Sequence, residues 1–336
     1  MAIRISRRSA LILLFLSSCG IGSRSMQGIQ LTIGTVSYGA TNSPKRYDRF
    51  QRYLAEKLQA VVQFEPAFNE RKALERLKSQ AWSLVFAPPG LAAIAMTQYQ
   101  YTPLFPLIGV NNLRSVLIVQ KDSSHSDLQS LAGKRLAIGQ PGSATGYYFP
   151  IFNLYGLTLK ELFVTPTPKA VLEAVAQGQA DAGAVSLEEF NLYKAQLSPA
   201  EFRILYNDPH KVPAGVVLVS PSVDRTLQES VRKVLSETPS VIAEEAGFVP
   251  TGSIPDYQYM ISVVDRVRSI FPADRDEGTA LLAQKPVRLF TSGNQTAPQV
   301  VSPSPESRTA SPASEAPASE PVASPTANSS PYPGSP

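Results

Sequence analysis

Histidine, cysteine and tryptophan are scarce in this chain of 336 residues, which holds two histidines, one cysteine and one tryptophan. A lone cysteine excludes an intramolecular disulfide. His125 and His210 both sit in polar stretches that read as surface loops. No cluster of His, Asp and Glu stands at metal-ligand spacing, so neither a metal nor a cofactor is expected. No serine occupies a G-x-S-x-G elbow, and Glu188, Glu189 and Asp48 are brought together by nothing in the sequence. Charge of one sign is also missing. The net charge is +4, and Lys and Arg alternate with Asp and Glu, so no basic stripe offers itself to nucleic acid. Beyond the N-terminal segment there is no long apolar run. With 43% hydrophobic residues the chain is equipped for a globular core of ordinary size. These scarcities exclude most catalytic classes and leave a non-enzymatic protein.

The ends are of different material from the middle. Arg4, Arg7 and Arg8 form a basic head, and Ala10 to Leu16 form an apolar stretch too short to span a bilayer as a stable anchor. It runs into Leu16-Ser17-Ser18-Cys19, a branched residue, two small ones and the only cysteine. This resembles the lipobox of bacterial lipoproteins. The resemblance implies a signal peptide over residues 1–19, a diacylglycerol on the Cys19 thiol, and a mature protein held at a membrane outside the cytoplasm. Residues 272–336 read as a Pro/Ser/Ala-rich linker and tail. From Thr291 onward almost no large apolar side chain remains, so the ordering entropy has nothing to offset it and disorder is expected. Asp276 to Gln284 has the pattern of a short helix.

Between these ends strands and helices alternate. Gln30–Val36 reads as a strand, Lys45–Gln59 as an amphipathic helix with Phe50, Tyr53, Leu54 and Leu58 on one face, and Val61–Glu65 as a strand. Glu70–Gln80 is a helix, Leu84–Phe86 a buried strand, and Leu91–Met96 a helix entered through Pro88-Pro89-Gly90. Two apolar runs, Thr102–Val110 and Leu113–Gln120, follow. A second series then begins: strand Lys134–Ile138, helix Gly146–Leu154, strand Glu161–Thr165, helix Lys169–Gln177, strand Ala180–Val185 and helix Leu187–Ala195. Arg203–Tyr206 and Val216–Val219 are further strands, and helices over Ser222–Glu237 and Tyr257–Ile270 end the ordered part. The two βαβαβα units predict mostly parallel sheets covered on both faces. The fold class expected is α/β, two doubly wound lobes joined by a hinge. Residues 28–112 with 213–271 make lobe 1 and residues 113–212 make lobe 2. The chain crosses near Val110–Val116 and returns near Asn207–Gly215.

One turn carries most of the functional signal. Gly139-Gln140-Pro141-Gly142-Ser143-Ala144-Thr145-Gly146 lies between a strand and a helix start. Helix starts leave N–H groups without intrahelical partners and carry partial positive charge. With the Ser143 and Thr145 hydroxyls added, the turn reads as a seat for a small oxyanion or carboxylate. It is neither a Walker A loop nor a dinucleotide fingerprint. The equal alternative is an ordinary turn whose Ser or Thr caps the next helix. Tyr147 and Tyr148 follow it, either as an aromatic wall or as core. Ser37, Tyr38 and Gly39 follow the first strand at its C-terminal end.

Three phrases, Leu128–Gly146, Val171–Val185 and Leu84–Gly90, resemble the phosphonate/phosphite-type solute-binding proteins of ABC importers, of the type 2 periplasmic-binding fold. The resemblance spans about residues 30–270. It implies a binder that captures a small anion between its lobes and passes it to an ABC permease. A sensor reporting to a signalling partner, or a structural envelope lipoprotein with a vestigial cleft, are the alternatives. It implies that Ser143, the Ala144 N–H, Thr145 and Gly146 hold the phosphonate oxygens, with Tyr38, Pro88, Gly90, Tyr147 and Ser186 as further pocket positions. It also implies a monomer without nucleic-acid partners. The chain departs from the family in three places. Phe86-Ala87-Pro88-Pro89-Gly90-Leu91 stands for Phe-Gly-Pro-x-Ser-Tyr, Pro168 stands for a histidine, and Ser186 stands for an acidic residue. An aminoalkyl phosphonate would want that carboxylate for its ammonium, so phosphite, phosphate, a simple phosphonate or another small anion are the expected ligands.

Overall fold

The computed structural model describes residues 28–37, 44–109, 113–270 and 285–290. The expectations for the lipobox and Cys19, for Tyr38, for the Asp276–Gln284 helix and for the tail from Thr291 lie outside these residues.

Two five-stranded sheets form the frame. In chain order, β1 (Ile29–Val36), β2 (Ala60–Ala67), β3 (Leu84–Ala87) and β4 (Thr102–Pro106) alternate with α1 (Asp48–Leu58), α2 (Glu70–Lys78) and α3 (Pro89–Gln98). The chain then enters the other sheet with β5 (Ser115–Gln120), β6 (Arg135–Ile138), α4 (Phe149–Asn153), β7 (Thr158–Leu159), β8 (Glu161–Val164), α5 (Pro168–Ala176), β9 (Ala182–Ser186), α6 (Leu187–Tyr193) and β10 (Phe202–Asn207). It returns with β11 (Val216–Val219), α7 (Arg225–Ser236), α8 (Ser240–Ala246) and α9 (Gln258–Arg268), and closes on β12 (Val287–Arg288).

The sheets read β2-β1-β3-β11-β4 and β10-β5-β9-β6-β8. All strands run parallel within each sheet except one, β11 in the first and β5 in the second. Those two are the strands by which the chain arrives from the opposite sheet. The apolar runs explain the order. Leu84–Ala87 and Val216–Val219 are buried along their whole length, as interior strands covered on both faces must be. Edge strand β2 instead mixes exposed and buried positions.

Local capping and packing signals set the helix ends and faces. Asn69 caps α2 by accepting from the Lys72 N–H, and Asp224 caps α7 by accepting from the Leu227 N–H. Helix α1 buries Phe50, Leu54 and Leu58. Phe50 meets Phe86 and Phe248 edge to face at 5.4 and 5.6 Å. Gly34 has no side chain because Trp82 lies over it: a Cβ there would stand 1.9 Å from the indole ring.

One apolar cluster runs through both sheets. It joins Leu91–Ala95 of α3, Tyr147–Phe149 and Ile151 beside β6, and Met260, Val263, Val264 and Val267 of α9. Helix α9 packs on both α3 and α4. The described residues accordingly belong to one compact unit.

The linker expected from residue 272 contains ordered chain. Residues 285–290 lie along β7, where β12 pairs Val287 with Leu159 and Arg288 with Thr158. Val287 and Leu289 are fully buried while their neighbours are not, the period-2 alternation of a half-buried strand. Three apolar residues in a six-residue stretch, Val287, Leu289 and Phe290, are too weak a signal to read from sequence. Helix α8 was also unforeseen. It follows Pro239 directly and ends at Gly247, whose φ of 86° is the left-handed C-cap that glycine permits.

Candidate functional site

The site forms where the C-terminal ends of β6 and β9 meet the starts of α2 and α3. After β6, Gly139 donates its N–H to the Gly146 carbonyl, closing the turn at 2.8 Å. Residues Ala144–Tyr148 form one wide π-type turn that leads into α4. Ser143 is its N-cap: its Oγ accepts from the Gly146 N–H at 3.0 Å, and its carbonyl accepts from Tyr147 and Tyr148. The capping alternative for this turn is therefore what the structure shows for Ser143. The N–H groups of Ala144 and Thr145 stand at the head of the turn, where no intrahelical acceptor exists.

Gly90 fits against this head. A Cβ built on Gly90 would stand 2.2 Å from the Gly142 carbonyl oxygen and 2.7 Å from the Ala144 nitrogen. Helix α3 thus meets the turn backbone to backbone. Gly142 has φ of 107°, and a Cβ there would also strike Leu91 at 2.7 Å and Glu70 at 2.9 Å. Only glycine satisfies both conditions.

Beside this contact lies a narrow crevice lined by Glu70, Gln140, Ser143, Gly146, Thr165, Thr167 and Glu189, with Pro166, Pro168 and Val171 as apolar wall. Four helix starts face it. Glu70 opens α2, and Ser143 caps the π-type turn. Thr167 caps α5 by accepting from the Ala170 N–H at 3.2 Å. Ser186 and Glu189 form a reciprocal capping box at 3.1 and 2.9 Å. Converging helix starts concentrate positive potential. Two carboxyls, Glu70 and Glu189, stand in that field. Burial pushes the Glu189 carboxyl above the usual carboxylate range, with the Ser186 N–H and hydroxyl opposing. Gln140 is fixed across the gap, its amide oxygen accepting from the Arg71 N–H at 3.1 Å.

The sequence-derived site residues divide into three groups. Ser143 and Gly146 line the crevice. Ala144 and Thr145 are buried and do not line it, and the Thr145 carbonyl accepts from the Ser115 hydroxyl at 2.6 Å. Gly90 abuts the turn, and Pro88 is the N-cap of α3. Tyr147 and Tyr148 are fully buried core, packed edge to face at 5.0 Å, and do not line the crevice. The oxygen of Ser186 is engaged in its cap. Sequence reading missed Glu70, Gln140, Thr165, Thr167 and Glu189. A signal existed for Glu189, because Ser186-x-x-Glu189 is a capping-box spacing. It places a carboxyl one helical turn from the position where the family's acidic residue is absent.

A model of the periplasmic phosphonate substrate-binding proteins of ABC transporters matches residues 34–247. The fold recurs in solved structures. One is a Xanthomonas citri protein bound to chloride, at TM-score 0.59 and 18% identity, covering 71% of this chain and 98% of that one. Another is the binding component of an ABC phosphonate transporter from Pseudomonas aeruginosa, at TM-score 0.56 and 13% identity, covering 76% and 93%. A third is PhnD1 of Prochlorococcus marinus in complex with methylphosphonate, at TM-score 0.53 and 18% identity, covering 71% and 98%. The family match takes in the Gly139–Gly146 turn, Gly90 and the crevice of converging helix starts. The chain belongs to the periplasmic phosphonate substrate-binding proteins of ABC transporters, a family of transport and not of catalysis.

Proposed function

We propose that this protein captures a small phosphorus oxyanion at the Ser143–Gly146 turn and delivers it to an ABC permease from a lipid anchor at Cys19. The observation that carries the reading is the convergence of four helix starts on one crevice. Residues 28–112 with 213–271 act as one lobe and residues 113–212 as the other. Separation of the Gly90–Gly142 contact admits the anion to the Ala144 and Thr145 N–H groups, and closure returns α3 over it. The methylphosphonate bound by the Prochlorococcus protein supports this ligand class.

A thermal-shift and calorimetric titration of the full chain with methylphosphonate, phosphite, phosphate and sulfate tests the proposal. Ligand at about 100 times its dissociation constant stabilises by about 2.7 kcal/mol. Binding of one phosphorus oxyanion, weakened at least tenfold in Ser143→Ala, is the expected outcome. A second reading, an envelope lipoprotein with a vestigial cleft, draws on the direct backbone contact of Gly90 with Gly142. Absence of binding by all four anions would sink the first reading and leave the second.

A further inference from the structure

The crevice holds two carboxyls and no cation. Its walls carry Glu70 and Glu189, but no Lys, Arg or His. An anion seated there gains from the helix starts and from the donors of the walls, and it meets two groups of its own sign.

Gln140 supplies donors. It is only 8% exposed. Its Oε1 accepts from the Arg71 N–H at 3.1 Å. A backbone N–H can face only the oxygen of a carboxamide, so this bond fixes the side chain and turns the amide nitrogen away from the start of α2. No acceptor among the described residues takes either amide hydrogen. A buried donor left in this way costs free energy until a ligand oxygen meets it. Two hydroxyls join it on the crevice wall. Ser143 Oγ accepts from the Gly146 N–H at 3.0 Å and Thr167 Oγ1 from the Ala170 N–H at 3.2 Å, which leaves each hydroxyl hydrogen to donate. Thr165 has no such freedom, because its hydroxyl is shared between the Ile138 and Thr167 carbonyls at 3.1 and 3.2 Å.

Glu189 is the opposite kind of group. One carboxyl oxygen accepts from the Ser186 N–H at 2.9 Å. A carboxylate has about four acceptor positions, and no cation of the crevice wall takes up the rest. The titratable groups near it are Glu188 and Tyr193 on its own helix and Glu70 on α2, none of them a source of positive charge. Burial pushes the Glu189 carboxyl up, which favours a contact that contains a proton.

We propose that Gln140 and Glu189 form a donor–acceptor pair that selects an oxyanion bringing its own acidic hydrogen. The Gln140 amide donates to a bare oxygen of the ligand, and the Glu189 carboxylate accepts from its hydroxyl. The class that fits is a monoprotonated tetrahedral oxyanion, such as hydrogen phosphate or the methylphosphonate monoanion. Sulfate has the same shape but no hydrogen at neutral pH, so its oxygen meets the carboxylate with nothing between them. A site built to hydrogen-bond a hydroxyl rejects the analogue that lacks it, because the buried partner is left unpaired. The inference rests on the anion-binding reading above.

Calorimetric titration of the full chain at pH 7 with phosphate, methylphosphonate and sulfate tests it. The wild type should bind phosphate or methylphosphonate at least about thirtyfold more tightly than sulfate. Glu189→Gln keeps an acceptor for the Ser186 N–H and offers the ligand an amide hydrogen. Phosphate should then weaken, sulfate should tighten, and the ratio should fall to about threefold or less. Gln140→Met removes the donor but not the carboxylate, so phosphate and sulfate should weaken alike, by about tenfold, with the ratio preserved. A wild type that takes sulfate as tightly as phosphate would overturn the pair without any variant, and so would an unchanged ratio in Glu189→Gln. Those outcomes leave anion binding intact. A wild type that binds none of the three would instead overturn the anion-binding reading, and the pair with it.

Discussion

A single methyl group at Gly90 is the sharpest probe of how the two sheets meet. Alanine there puts a Cβ 2.2 Å from the Gly142 carbonyl oxygen, 3.0 Å from its carbonyl carbon and 2.7 Å from the Ala144 nitrogen. All three are backbone atoms, and no rotamer change relieves the overlap. Either α3 retreats from the turn or the turn retreats from α3. Overpacking of this kind costs about 1–3 kcal/mol. The better helix propensity of alanine returns a few tenths, because Gly90 lies in the first turn of α3. A net loss of about 1–2 kcal/mol lowers the melting temperature by about 2–8 °C for a domain of this size. The strain is relieved by opening, so small-angle scattering of Gly90→Ala should show a larger radius of gyration than the wild type. Gly139→Ala is the control. It lies on the same turn, but its nearest foreign atoms are 3.5 Å from the added Cβ, an ordinary contact. Its melting should change by about 1 °C or less. Unchanged melting and scattering in Gly90→Ala would refute the close approach and the closed arrangement argued from it.

Two further outcomes follow from the ionisable groups of the second sheet. Asp181 loses some solvation by burial, but the Arg135 guanidinium, at 2.9 and 3.2 Å, and the Arg135 N–H hold its carboxyl below the usual range. A depressed carboxylate contributes stability that is present above its unfolded value and lost as pH falls through the folded one. Asp181→Asn should therefore cost about 1 kcal/mol at pH 7 by chemical denaturation, and nothing measurable once the wild-type carboxyl is protonated in acid. Glu189 has the opposite sign. Its raised value means that the wild type loses stability as pH climbs from the unfolded carboxylate value to the folded one. Glu189→Gln keeps an acceptor for the Ser186 N–H and should flatten that decline. A variant whose stability follows pH as the wild type does would show that the Glu189 carboxyl is not the source.

The order of strands and helices was legible because each element carries its own signal. The fully apolar Leu84–Ala87 and Val216–Val219 read as covered strands, and the Phe50–Leu54–Leu58 stripe read as a helix face. The reversed direction of β5 and β11 was not legible, because residues alone do not state which way an arriving strand runs. The crevice was half legible. Gln140, Ser143 and Gly146 lie in one contiguous phrase, whereas Glu70, Thr167 and Glu189 come from three separate elements and meet only through the fold. Tyr147 and Tyr148 show the limit of reading by adjacency. They follow the turn in sequence, but the wide π-type turn sends both rings into the core shared with α9.

The short pairing of β12 with β7 shows that chain beyond α9 belongs to the folded domain. Gly156 donates to the Leu289 carbonyl at 2.9 Å, and Leu289 donates to the Leu157 carbonyl at 3.0 Å. Lys285 adds an ion pair to Glu161. Val287 and Leu289 cover an apolar floor that includes Leu157 and Leu159. A protein shortened after α9, where composition places the boundary, would leave that floor bare and offer the unpaired edge of β7 to any passing strand. A soluble, well-behaved version of the domain must retain Phe290, because residues 285–290 complete the two-stranded sheet that β7 forms with β12.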